Sequence, residues 1–167
     1  NKTLKKEDVS PYIYPTEEEL FKNKIYPYFT GTFFNLDIAK ILPLIKKFGW
    51  KDSDEKIEGD YGNWEDLDCG FMPIHHYFKY VKYGYARATD HVCSEIRHGR
   101  LSRKEGKDLI LNNEGKVPQK HFKKFLKFLD ISEERFYEIR NKFANPVLFK
   151  TDNKNFFLQD KDNNLIP

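Results

Sequence analysis

From Pro73 to Pro146 the sequence repeatedly starts and stops a helix, and this punctuation limits the fold to short helices packed on one another. Pro73 suits a first helical turn, where its missing N–H costs nothing. Ile74, Tyr77, Phe78 and Val81 then recur at i, i+3, i+4 and i+7, the stripe of a buried face. Gly84 breaks that helix. A second is expected from about Tyr85 to His98, closed by Gly99, since glycine takes the left-handed conformation that ends helices. Ser102-Arg103-Lys104-Glu105 is a capping box opening a helix that ends near Gly115. Pro118 is expected to start the next, with Phe122, Phe125, Leu126 and Leu129 on one face. Ser132 caps a last helix with Phe136, Ile139 and Phe143 inward, and Asn145-Pro146 ends it.

Upstream the signals are mixed. Residues 1–15 hold Pro11 and Pro15 and read as an extended arm. Thr16-Glu17-Glu18-Glu19 is a capping box for a helix through about Lys24. Ile25 to Phe34, aromatic and β-branched, reads as a strand or extended segment. Apolar residues at 38, 41, 42, 45 and 48 have a helical period, with Pro43 at a first turn or kink. Residues 49–70 carry four glycines and form a loop-rich connection. Val147–Phe149 and Phe156–Leu158 suit a short hairpin. The fold class expected is mainly α, with a short extended or β N-terminal segment. Residues 1–70 form an arm and connector, 71–145 a helical substrate-binding region and 146–167 a tail.

Fifteen Phe and ten Tyr supply a core, which excludes wholesale disorder. No apolar run approaches the roughly 18 residues of a membrane span, and no basic-then-apolar signal segment opens the chain. Two cysteines make no disulfide framework, so a reduced, cytoplasmic setting is the default. The formal charge of +3 is too weak to argue for nucleic acid. It conceals a segregation, however. Residues 51–68 carry eight acids and two lysines, and residues 71–107 carry eight bases and three acids. Lys116 to Lys127 adds five lysines, which suit solvated helix faces. The 71–107 excess includes four arginines and suits a phosphate or carboxylate ligand.

Within that basic stretch, Arg87, Asp90, His91, Ser94, Glu95 and His98 fall at i, i+3, i+4, i+7, i+8 and i+11, on one helix face. A merely solvated face favours Lys, Glu, Gln and Ala, the strong helix formers. This face instead carries an acid, two imidazoles, a hydroxyl and a guanidinium, the residue set of a site. The alternative is an exposed face with internal ion pairs, Arg87 with Asp90 or His91 and Glu95 with His98. His75 and His76 are adjacent, so they point to different faces and cannot share one metal from a regular helix. Cys69 with His75 lacks zinc spacing, and Cys93 falls on the core side. No metal site is expected.

The string from Asp66 through His75-His76 and Gly84-Tyr-Ala-Arg-Ala-Thr-Asp-His-Val-Cys-Ser-Glu-Ile-Arg97 to Glu105 resembles the C-terminal half of bacterial N-acetyl sugar amidotransferases. Tyr14-Pro-Thr-Glu-Glu-Glu-Leu20, Phe29 to Asp37, and Phe122 through Ile131-Ser-Glu-Glu-Arg-Phe136 to Asn145-Pro146 resemble the same family in the same order. The likeness covers about residues 10–149 and is most specific over Gly84–Arg100. It implies PP-loop, ATP-pyrophosphatase-like enzymes of surface polysaccharide biosynthesis (lipopolysaccharide O-antigen) or of flagellar sugars. These convert an acetamido group of a nucleotide-linked sugar to acetamidino, through ATP activation and displacement by ammonia. The implied cofactors are ATP and Mg2+. The implied partners are the nucleotide sugar and an ammonia-supplying glutaminase and cyclase-like pair, with no membrane and no nucleic acid. A homo-oligomer is compatible with the family.

The family's Ser-Gly-Gly-x-Asp-Ser loop and Cys-x-x-Cys pairs do not occur in these residues. The chain is therefore expected to be the C-terminal portion of such an enzyme, inactive alone, with the ATP and Mg2+ sites mostly in an N-terminal domain outside it. Arg87-Ala-Thr89 followed by Glu95-Ile-Arg97 is also similar to a string in the synthetase domain of asparagine synthetases. By these resemblances Glu95 is the catalytic residue that orients or deprotonates ammonia. Arg87 and Arg97 hold phosphate or sugar carboxylate. Thr89, Asp90, His91, His75 and His76 complete the substrate-binding set. The rival expectation is a non-catalytic helical module that docks the glutaminase and cyclase-like partner or an anionic ligand, with Glu95 and Arg97 merely closing their helix.

Overall fold

A computed structural model describes residues 4–152, 155–159 and 165–166. The chain divides into two compact units, residues 1–48 and 49–167.

The first unit holds three short helices, α1 (Lys6–Val9), α2 (Glu17–Lys22) and α3 (Ile38–Lys46). The Thr16 capping box forms as its spacing predicts. The Thr16 hydroxyl accepts the Glu19 N–H at 3.3 Å, and the Thr16 N–H reaches the Glu19 carboxylate at 2.8 Å. Asp37 caps α3 through the Ala39 N–H, and Pro43 lies inside that helix. Residues 25–29 are irregular and lead into a single 3-10 turn at Thr30–Thr32, so the strand alternative for 25–34 is not taken up. The turn closes through backbone bonds from Phe33 and Phe34 to the Thr30 carbonyl, a local solution that leaves this segment without a ladder partner. No strand forms among the described residues of this unit.

The second unit carries α4 (Met72–Tyr83), α5 (Arg87–Arg97), α6 (Arg103–Asn113), α7 (Phe122–Leu129) and α8 (Glu133–Phe143). A small antiparallel sheet follows, β1 (Phe149–Asp152), β2 (Asn155–Gln159) and β3 (Leu165–Ile166), in the order β1-β2-β3. Phe149 faces Leu158 in the β1–β2 register. The protein is mainly helical. Among the described residues no helix is long and apolar enough to cross a membrane.

The core forms where the α4 stripe meets α7 and α8. Ile74, Tyr77, Val81, Phe122 and Phe136 are its buried members. Phe136 sits at its centre, 1% exposed, with ring centroids 4.8 Å from Phe122 and 5.5 Å from both Phe78 and Tyr137. Edge-to-face contacts of this kind add to the area that each ring buries. Arg140, also 1% exposed, lies against the Tyr137 ring, and its guanidinium donates to the Tyr77 hydroxyl at 3.4 Å.

Several helix ends follow their local signals. Gly84 adopts φ +78°, as the left-handed close of α4 requires, and its N–H donates to the Tyr80 carbonyl at 2.7 Å. The free Val81 carbonyl accepts the Asn145 N–H, which joins the end of α8 to the end of α4. Ser102 and Glu105 form their capping box on α6. Pro118, by contrast, does not start a helix, and α7 begins at Phe122. The cause is a distant side chain. Glu58 accepts the N–H groups of Gln119 and Lys120 at 2.8 and 3.0 Å, beside the turn at residues 120–121 that precedes α7.

Replacing Phe136 with Ala removes the hub of the aromatic cluster and leaves a cavity between three helices. The expected loss is about 3–5 kcal/mol of unfolding free energy, measured by denaturant titration. A loss below about 1 kcal/mol, the scale of a surface substitution, would contradict this core.

Candidate functional site

Helix α5 begins without a cap of its own, since Ala86 has no side-chain acceptor. Glu114, just past the end of α6, supplies one. Its carboxylate accepts the Thr89 N–H at 2.6 Å and the Thr89 hydroxyl at 2.9 Å, and also bonds the Ala86 backbone. A negative charge at a helix N-terminus satisfies its free N–H groups and complements its dipole. On the other side of α5, Ala88 and Val92 are fully buried. Gly106 lets α6 approach there, because a Cβ at that position would lie 2.7 Å from Val92 Cγ1 and 2.8 Å from Ile96 Cδ1. The helix is therefore fixed in rotation, and its polar stripe faces one way.

The acidic loop 49–70, grouped with the arm in sequence, folds within the second unit against that stripe. Asp60, 3% exposed, sets its carboxylate 2.8 and 3.0 Å from His91 Nδ1. The same carboxylate accepts the Tyr61 N–H at 2.7 Å, which fixes the loop's path. His91 Nε2 lies 3.3 Å from a Glu65 oxygen, and Glu65 pairs with the Arg87 guanidinium. Arg87 is also 3.7 Å from Asp90, which binds Lys79 at 2.5 Å. Lys79 in turn lies over the Tyr85 ring. Asp60, His91, Glu65, Arg87, Asp90 and Lys79 thus form one chain of contacts between loop, α5 and α4. Tyr61 and Trp64 cover the imidazole, with ring centroids 6.1 and 5.3 Å from it.

Glu95 stands one helical turn further along. Arg100 binds it at two points, 2.5 Å from Nε and 2.7 Å from Nη2, in the bidentate geometry that suits a planar guanidinium. The Glu95 side chain is 14% exposed and Arg100 is 32%. Burial pushes the Tyr61 hydroxyl up to about 12, and the charges of Glu95 and Asp60 add to the rise while Arg100 opposes it. A neutral phenol therefore lies within the electrostatic reach of Glu95. His98 Nδ1 lies 2.8 Å from the Ser94 carbonyl oxygen.

The structure thus brings Arg87, Asp90 and His91 into one network and sets Glu95 on the same helix beside it. Thr89 is occupied by Glu114 at the helix start. His76 is buried and 2.7 Å from Asp66. Its neighbour His75 is exposed, as adjacent helical positions dictate, and borders a shallow cleft with Phe78, Lys79, Lys82 and Tyr83. Arg97 lies on another side of α5, at a groove with α6 that also contains Cys93. Among the described residues no group of three or more His, Cys, Asp or Glu side chains is placed to hold a metal ion. Asp60, Tyr61, Trp64, Glu65, Arg100 and Glu114 are the participants that sequence reasoning missed. The signal available for the first four was an aromatic pair inside an acidic, glycine-rich loop, since exposed loops seldom retain Tyr and Trp without something to pack on.

The family model described as LPS biosynthesis protein WbpG-like, C-terminal domain, matches residues 44–161. No curated protein matches the chain.

Burial raises the Glu114 carboxyl above its ordinary value of 4.5, with the Thr89 N–H and hydroxyl opposing and Asp90 adding to the rise. A carboxyl raised by folding contributes its stability fully below 4.5 and loses it as pH climbs through the raised value. Glu114→Gln removes that titration and retains an oxygen acceptor for Thr89. Measured by denaturation across pH, the variant's stability relative to the native chain is expected to improve from below pH 4.5 toward neutrality. A difference that does not change with pH would contradict the burial of a charge at this cap.

Proposed function

The chain belongs to the LPS biosynthesis protein WbpG-like C-terminal domain family, and from that premise we propose that it is the helical part of an ATP-dependent amidotransferase. The reaction converts the acetamido group of a nucleotide-linked sugar to acetamidino with ammonia, for a surface polysaccharide. The resemblance of residues 84–100 to N-acetyl sugar amidotransferases supports the reaction class. The observation that carries the reading is Glu95: a carboxylate largely withdrawn from solvent, held at two points by Arg100, at the end of a fixed polar stripe.

The residues described here do not fit a site for ATP and Mg2+. No acidic or imidazole group of three is placed for a metal ion, and the sequence has no glycine-rich phosphate loop. Activation of the amide is accordingly given no residue in this chain. What the chain supplies acts on ammonia and sugar. Both Glu95 oxygens accept bonds from Arg100, and a carboxylate oxygen can accept more than one. The carboxylate accepts an N–H of ammonia and takes the proton released as the new C–N bond forms and the activated oxygen leaves the same carbon. The neutral Tyr61 hydroxyl is available to donate nearby. Arg87, Asp90 and His91 contact the sugar or its phosphate at the stripe's centre, where Arg87 and His91 exchange their Glu65 contact for a ligand oxygen. Exposed His75 meets the same ligand from α4. Thr89 and His76 act through their partners Glu114 and Asp66 by holding α5 and α4 in place. Ammonia comes from a glutaminase and cyclase-like pair.

The test uses the intact enzyme with ammonium salt as the nitrogen source. Product is read from the exchange of oxygen for NH in the mass of the nucleotide sugar. Glu95→Gln is expected to lower turnover by about 10²-fold or more, the scale of a lost general base, with the melting temperature close to native. Arg100→Gln breaks the same ion pair and leaves the carboxylate, so it is expected to retain more activity than Glu95→Gln. Full turnover by Glu95→Gln, or equal losses in the two variants, would remove Glu95 from the chemistry.

A further inference from the structure

The groove between α5 and α6 lies on a different side of α5 from the Asp60–His91 network. It has a volume of about 490 Å³, with a floor that includes Ile96, Ile110 and Leu111 and a rim of Arg97, Arg103 and Lys107. We propose that it docks an acidic amphipathic helix of a partner protein. The proposal is independent of the reaction assigned to Glu95.

The arginines make the case for charge. The chain has six. Arg87 pairs with Glu65, Arg100 with Glu95 and Arg135 with Glu138, and Arg140 is held inside by Tyr77 and Asn141. The two that remain, Arg97 and Arg103, carry no ion pair among the described residues, and both border this groove. Arginine binds carboxylates at two points and tolerates partial burial better than lysine, so it suits an interface with acids. The third basic rim residue, Lys107, stands one turn along α6 from Arg103.

The floor decides what kind of acid. Leu111 is 56% exposed, and the lining is mostly carbon. A free phosphate would satisfy the rim and leave that surface in water. A helix with apolar residues at i, i+3, i+4 and i+7 and glutamates along its flanks satisfies both at once, which is the helix-in-groove mode of recognition. The groove is also preformed. Gly106 seats α6 directly on Val92 and Ile96, and Ser102 and Glu105 cap its start. Binding therefore requires no rearrangement of the two helices, which keeps its entropic cost low.

The full chain is titrated by fluorescence anisotropy with a labelled designed peptide about five helical turns long, with leucines on one face and glutamates beside them. Two control peptides replace Glu with Lys or Leu with Gln, and phosphatidylglycerol vesicles test a lipid surface. Saturable binding of the acidic amphipathic peptide is expected, with neither control peptide bound comparably. Arg97→Glu with Arg103→Glu is expected to weaken it at least about tenfold, equal to about 1.4 kcal/mol. If that double variant melts below the native chain, Lys107→Glu and Leu111→Gln, both exposed positions, carry the test with smaller losses expected. Absence of saturable binding, equal binding of the Gln control, or insensitivity to these variants overturns the proposal. Vesicle binding that depends on the same arginines without peptide binding overturns it in favour of a lipid surface.

Discussion

The contact between Asp60 and His91 is the interaction on which the described site depends. Both side chains are withdrawn from water, and the carboxylate also fixes the Tyr61 backbone. A buried carboxylate without a partner is costly, so the loop can bury Asp60 only where the imidazole waits. Once it does, Trp64 and Tyr61 fall across the ring and Glu65 reaches Arg87. The loop has no regular secondary structure to hold its shape, and these contacts with α5 take that role.

The same contact explains the segregated charge. A stretch rich in acids and a stretch rich in bases each repel themselves, and folding one on the other relieves both. Glu65 with Arg87 and Glu55 with Lys120 are instances of it, and Glu58 extends it to the backbone of 119 and 120. The acidic connection is thus a structural component of the helical unit. What remains unneutralised is informative: the basic rim around Arg97 and Arg103 faces away from the loop's partners.

The helices were legible because their signals are local. Thr16, Ser102 and Ser132 cap where their spacing says, and Gly84 closes α4 because only a left-handed residue ends it that way. The aromatic stripe on α4 likewise named its own buried face. The errors and omissions share a cause in long-range contacts. Pro118 carries a helix-start signal that Glu58, far away in sequence, overrides. Residues 25–34 have strand-like composition but no partner strand, and composition alone cannot supply one. The polar stripe on α5 was visible from its period, while its partners Asp60 and Glu65 were not, because nothing in a helical repeat encodes which loop returns to it. Glu114 escaped notice for the same reason, since a cap supplied by another helix leaves no sequence pattern at the helix it caps.

The claim that this loop and α5 form one pinned unit is tested most directly by a double-mutant cycle on Asp60→Ala and His91→Ala, followed by denaturant unfolding. The two residues share a buried contact, so the account predicts a coupling energy of about 1–3 kcal/mol. Additivity within about 0.3 kcal/mol, the behaviour of independent sites, would contradict it and detach the loop from the site.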